Sequence, residues 1–85
     1  MILARIDGSV VSSHGHPTLK GWRLAICQPV DEKGNDDGEM FLAIDPHHAG
    51  LHQRVMVTTD GQSTATRVHD DHSPLRNMII AIIDN

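Results

Sequence analysis

Apolar and polar residues alternate in short runs along this chain. Ile2, Ala4 and Ile6 interleave with Leu3, Arg5 and Asp7, a period of two that predicts a strand with one buried face. Gly8 interrupts the pattern and Val10 and Val11 resume it. A glycine within a strand marks a bulge or a sharp bend of the kind barrels use to curve. Residues 12–20, with Gly15 and Pro17, read as a loop. Residues 23–28 (R-L-A-I-C-Q) form a second strand that ends at Pro29, which has no ladder donor. The polar, glycine-rich run 31–38 is turn chemistry, so 40–44 is the return strand of a hairpin. Residues 45–50 (D-P-H-H-A-G) are a loop, and 54–58 (R-V-M-V-T) a fourth strand. Asp60 is placed to cap a short helix over about 62–68. Residues 70–74 are loop again, and 78–83 are the fifth strand. Five strands at short spacing with one short helix predict a mostly β fold, a small five-stranded OB-like β-barrel formed by one domain, residues 1–85.

The fifth strand, M-I-I-A-I-I, is apolar at every position rather than at every second one. A strand with one wet face alternates, whereas a continuous run has both faces covered. A barrel has one core and covers one face from inside. A neighbouring subunit is the economical cover for the other; a helix of the same subunit lying across it is the alternative. Left bare, the strand is an aggregation site.

Composition points the same way. A chain of 85 residues buries only about 60% of the surface its unfolded form exposes, and chains of this size usually add a staple: disulfides, a metal or a partner subunit. Cys27 is the only cysteine, which rules out an internal disulfide and fits a reducing, cytosolic setting. The start M-I-L-A carries no basic segment followed by an apolar one, so no secretion signal is expected. The six-residue run 78–83 is far short of the roughly 20 residues of a membrane-spanning helix. Net charge is −4, with 7 Lys+Arg against 11 Asp+Glu, no tyrosine, one Phe and one Trp. Nucleic-acid binding needs a basic footprint and stacking rings, so it is not expected, and Trp22 reads as a packing or interface anchor.

Candidate chemistry is confined to the histidines and one thiol. His14 and His16 fall on one side of an extended segment, and His47, His48 and His52, then His69 and His72, form further groups. Zinc needs three or four ligands in tetrahedral geometry, and the chain has neither H-E-x-x-H nor paired cysteines. Loop histidines are solvated by default. The alternative reading they leave open is a metal- or ligand-binding β-barrel module. Cys27 with a histidine, or Ser63, would be the nucleophile of an enzymatic reading, but Cys27 lies inside a predicted strand, where thiols act as inert hydrophobes unless their pKa is lowered. No catalytic residue, no resident metal and no cofactor are expected.

Taken in order, the residues resemble the EutN/CcmL family of pentameric microcompartment vertex proteins. Leu3-Ala4, Gly8 and Val10 through Ser13 match its opening L-A-x-V-x-G-x-V-V-S-T. Pro17-x-Leu19-x-Gly21 matches P-x-L-x-G, and Asp31, Gly34 and Gly38 match D-x-x-G-x-x-x-G. Ala43-x-Asp45-x-x-His48-Ala49-Gly50 resembles A-x-D-x-x-G-A-G, and 74–84 resembles the closing P-x-D-x-x-I-x-G-I-V-D. The departures are local. His48 replaces the first glycine of G-A-G, His52-Gln53 stands where G-E is usual, Gln62 and Thr64 alter G-S-S-A-R, and Arg76 stands at a position usually held by Asp.

The resemblance implies a structural shell protein, not an enzyme: a cyclic homopentamer capping the five-fold vertices of a bacterial microcompartment in the cytoplasm. It implies hexameric and trimeric shell proteins as neighbours, and no contact with nucleic acid or membrane. Subunit contacts in such a ring join two different patches of the same chain. On this reading Leu3, Val11, Ile79, Ile80, Ile82 and Ile83 form core and subunit interface. Asp45, Pro46, His48, Ala49 and Gly50 form the rim facing hexamers. Gly61, Gln62, Ser63 and Thr64 lie near the five-fold axis, around either a narrow polar pore or an incidental, closed opening.

Overall fold

The computed structural model describes residues 1–11, 22–59 and 77–83. Five strands are present: β1 (Ile2–Val11), β2 (Arg23–Pro29), β3 (Phe41–Ile44), β4 (Arg54–Thr58) and β5 (Met78–Ile83). They close into a barrel in the order β1-β2-β3-β5-β4. Neighbours are antiparallel except β3 and β5, which meet in parallel at the single pair Ile44↔Met78. The helix expected over 62–68 and the residues Gly61, Gln62, Ser63 and Thr64 lie outside the described residues.

The barrel interior follows the period-two pattern. Ala4, Ile6, Ala25, Cys27, Ala43, Val55, Val57 and Ile79 are buried together, joined by Ala49 from the loop after β3 and flanked by Ile2 and Phe41. Four alanines (Ala4, Ala25, Ala43 and Ala49) sit among the larger side chains, as a narrow interior requires. A second cluster lies on the other face of the β2–β3 ladder, where the cross-strand pair Leu24↔Ile44 packs with Trp22 and Met78. Trp22 is therefore a packing residue.

β1 bends where its glycine predicts. Register shifts between Ile6, opposite Cys27, and Gly8, opposite Ile26, leaving Asp7 as the extra residue of a bulge. A Cβ on Gly8 would stand 3.2 Å from Ile26 Cδ1, so the missing side chain is the space that Ile26 leans into.

Two strand ends differ from the sequence reading by one residue. β2 runs through Pro29, which pairs with Ala4. The next residue, Val30, donates to Leu3 O (3.0 Å), so by alternation the donor that Pro29 lacks would face the hairpin rather than β1. β3 begins at Phe41 rather than Met40. The hairpin opens there because the Gln28 amide donates to Gly38 O (3.0 Å) and Asp37 N donates to Pro29 O (2.8 Å).

β5 carries a second bulge. Ala81 faces Met56 while Ile79 faces Val57, so Ile80 is the extra residue. Ile79 is fully buried, whereas Ile80, Ala81 and Ile82 are exposed. The unbroken apolar run thus contributes one deep core residue, Ile79, and partly exposed apolar side chains at Ile80 and Ile82.

Candidate functional site

The loop between β3 and β4 is organised around one carboxylate. Asp45 follows the last residue of β3, and its side chain is fully buried. Oδ1 accepts from His47 N (3.0 Å) and Oδ2 from Ala49 N (2.8 Å). Arg23 Nε donates to Oδ2 at 3.3 Å, and Arg23 Nη2 donates to Ala49 O at 3.2 Å. An Asp preceding Pro that binds backbone amides two and four residues on forms an Asx-type turn. The sequence signal, Asp45-Pro46 at a strand end, marks the turn but not its partner Arg23, which comes from β2.

The loop then rejoins the barrel. His52 N donates to Ile6 O (2.7 Å), Ile6 N donates to Gln53 O (2.9 Å), and Gly50 N donates to the Gln53 side-chain oxygen. His48 and His52 both adopt left-handed backbone, with φ of 54° and 67°. Of the expected rim residues, Asp45 and Ala49 are buried within the subunit and shape the loop from below. Pro46 is half-buried, and His48 and Gly50 are exposed. The exposed surface of this loop also includes His47, Leu51 and His52.

A second polar network ties β1 to the β2–β3 hairpin. Arg5 binds both carboxylate oxygens of the bulge residue Asp7 (2.7 and 3.0 Å) and reaches Asp36 Oδ1 (3.0 Å). The Arg5 guanidinium holds the Asp7 carboxyl below its usual range, and the guanidinium is in turn pushed to a higher pKa. The sequence reading missed this network, although Arg5 and Asp7 are two apart on a strand.

The expected interface residues divide by position. Leu3 and Ile80 lie on the outer side of the β1–β4–β5 ladder, where Leu3, Met56 and Ala81 form one cross-strand row. Ile79 faces the core, Ile82 pairs with Val55, and Ile83 pairs with Arg54. Val11 does not stand near them. It ends β1 beside Arg23, eight residues from Leu3, or about 26 Å of extended strand. Met56 was not anticipated, because strand pairing is not readable from neighbouring positions.

Cys27 is buried in the core, and burial, with the Asp45 and Asp7 charges adding to it, pushes its thiol pKa up to about 12. A thiol in that state is neither nucleophile nor ligand. No group of three or more His, Cys, Asp or Glu that could hold a metal ion occurs among the described residues. Every buried side-chain nitrogen and oxygen among them has a partner.

Among the described residues the buried polar groups are committed to the chain's own loops, and Leu42, Ile80 and Ile82 are partly exposed apolar side chains on the strands. The chain belongs to the EutN/CcmL family, a family of structural shell vertex proteins and not of enzymes; the family model described as "Ethanolamine utilisation protein EutN/carboxysome" matches residues 1–84. Among its relatives is the carboxysome shell vertex protein CcmL of Synechocystis sp., 36% identical over 84 residues, covering 99% of this chain and 83% of that one. The bacterial microcompartment shell vertex protein EutN of Salmonella typhimurium is 31% identical, covering 99% and 84%. Among solved structures, Gloeobacter violaceus CcmL superposes with a TM-score of 0.83 at 28% identity, covering 99% and 86%. The GrpN pentameric microcompartment shell protein from Rhodospirillum rubrum superposes with a TM-score of 0.80 at 27% identity, covering 100% and 95%. Nothing in these relationships supports the metal-binding alternative.

Proposed function

We propose that this chain, acting as one domain, assembles into a ring of five that closes a five-fold corner of a bacterial microcompartment shell in the cytoplasm, with hexameric and trimeric shell proteins around it. A sheet of hexagonal units stays flat, and five-fold units give it the curvature to close. The work is geometric, and its energetics lie in two contacts: subunit to subunit, and ring to surrounding sheet.

The observation that carries the reading is the match of the family model along residues 1–84 on a closed barrel. Apolar residues on β5 support it, because a lone barrel gains nothing from leaving Ile80 and Ile82 partly exposed. The loop of Pro46, His48 and Gly50, shaped by Asp45 and Ala49, is the proposed rim toward hexamers. Gly61, Gln62, Ser63 and Thr64 are the proposed lining of the axis. Leu3, Ile80, Ile82 and Ile83 are proposed for the ring contact, with Ile79 behind them in the core. Native mass spectrometry tests the ring: a species of five chains is expected, and a stable monomer contradicts it. Co-expression with a hexameric shell protein tests the place in the shell: closed particles are expected only when this chain is present.

A further inference from the structure

The sequence contains three Asp-Gly steps: Asp7-Gly8, Asp37-Gly38 and Asp60-Gly61. In such a step the glycine amide nitrogen can attack the aspartate side chain, because no Cβ shields it. The fold decides which step is free to react. At Asp7 both carboxylate oxygens are held by Arg5 (2.7 and 3.0 Å), and Gly8 is paired with Ile26 in the β1–β2 ladder. Arg5 also keeps that carboxyl ionised, and a carboxylate anion is a poor electrophile. Asp37 is the opposite case. It is exposed in the β2–β3 hairpin, outside any strand. Among the described residues no hydrogen bond or ion pair holds its carboxylate, and none engages Gly38 N. Gly38 has a φ of 119°, which side chains rarely adopt, so the turn itself demands the residue that leaves the nitrogen open. Asp60-Gly61 lies outside the described residues.

We propose that Asp37-Gly38 is a self-modification site, at which Asp37 converts to isoaspartate in the folded protein while Asp7 is protected. Gly38 N bonds to Asp37 Cγ, the carboxyl C–O bond breaks, and the hydroxyl leaves as water with the amide proton. A five-membered succinimide results, and water then opens it. Addition at Cγ regenerates aspartate. Addition at the main-chain carbonyl breaks its bond to Gly38 N, so the chain now runs through Cβ and Cγ. Water is the only co-reactant, and the mass is unchanged. The product carries one extra main-chain carbon between two anchors of the hairpin. Asp37 N donates to Pro29 O (2.8 Å), and the buried Gln28 amide donates to Gly38 O (3.0 Å). Conversion therefore loosens the hairpin at the end of β2.

The test ages the purified chain for weeks in mildly acidic buffer at body temperature, both native and in strong denaturant. Peptide mass spectrometry with electron-transfer fragmentation then maps isoaspartate. In the native protein it is expected to accumulate at Asp37 and to stay at background at Asp7, whereas in denaturant both positions convert at comparable rates. Equal conversion of the two in the native protein, or conversion of Asp37 in denaturant alone, overturns the proposal. Asp37→Glu keeps the charge but needs a six-membered ring, so complete loss of the isomer at that position is expected; its persistence rules out the succinimide route. Hydrogen exchange of the aged native sample reads the loosening. The hairpin peptide should split into two populations, the faster one matching the isomerised fraction, and a single population overturns the loosening.

Discussion

His48 and His52, four residues apart, both hold left-handed backbone on one loop. They stand at two of the positions where the pattern of the resembled family carries glycine and this chain does not. A side chain in that conformation costs roughly 1–2 kcal/mol where glycine costs almost nothing. His48→Gly and His52→Gly are therefore each expected to stabilise the chain by about 1 kcal/mol in urea unfolding. His47→Gly is the control. Its φ is negative, so the added freedom of the unfolded chain makes it neutral or destabilising by up to about 1 kcal/mol. Equal effects at all three positions would show that strain is not the cause.

Asp45 and Arg23 join β3 to β2 beneath the same loop. The carboxylate is buried and serves three donors. Removing it strands the Ala49 amide and part of the guanidinium, so Asp45→Ala is expected to cost about 3 kcal/mol. Asp45→Asn keeps one acceptor oxygen and should cost less. A double-mutant cycle with Arg23→Gln should give a coupling energy well above zero, because the two groups bond each other and both bond the backbone of Ala49. Strict additivity would sink this account.

The strands were legible in the sequence because they are short, rich in β-branched residues and separated by glycine and proline. Gly8 announced its bulge for the same reason: only a missing Cβ leaves room for Ile26. The strain at His48 and His52 was not legible, since a backbone angle depends on the hydrogen bonds that close the loop, such as His52 N to Ile6 O. The resemblance marked both positions as unusual without saying why. Ile80 was readable from the unbroken apolar run, but Met56, which pairs with the adjacent Ala81, sits in an ordinary alternating strand. Only the pairing of β4 with β5 brings them together. Val11 lies at the far end of β1 from Leu3, because a ten-residue strand carries its ends far apart.

The Arg5–Asp7 pair makes stability depend on acid. The folded-state pKa of Asp7 is depressed, with its bonds to Arg5 as the main cause. A depressed carboxyl contributes stability that is fully present above its unfolded pKa, near 4, and is lost as pH falls through the folded value. Thermal midpoints measured from pH 6 down to pH 2.5 should decline for the wild type, with a shallower decline for Asp7→Asn. At pH 7 the substitution should cost about 1 kcal/mol, as for a partly exposed ion pair. Parallel curves for the two proteins would refute the linkage.

Cys27 gives a direct reading of whether the barrel is closed in solution. It has no exposed surface, and its thiol is pushed up to about 12. At pH 8 almost none of it is thiolate, and a reagent reaches it only through an opening of the strands around it. Labelling with an aromatic disulfide reagent should therefore be very slow in buffer and complete within minutes in strong denaturant. Its rate in low denaturant should rise in step with the population of open molecules. Val57→Ala, which leaves a cavity in the same core, should destabilise the barrel by about 2 kcal/mol and accelerate labelling roughly 30-fold when opening is fast and global. Rapid stoichiometric labelling of the native wild type would mean that the β1–β2 side of the barrel does not stay closed.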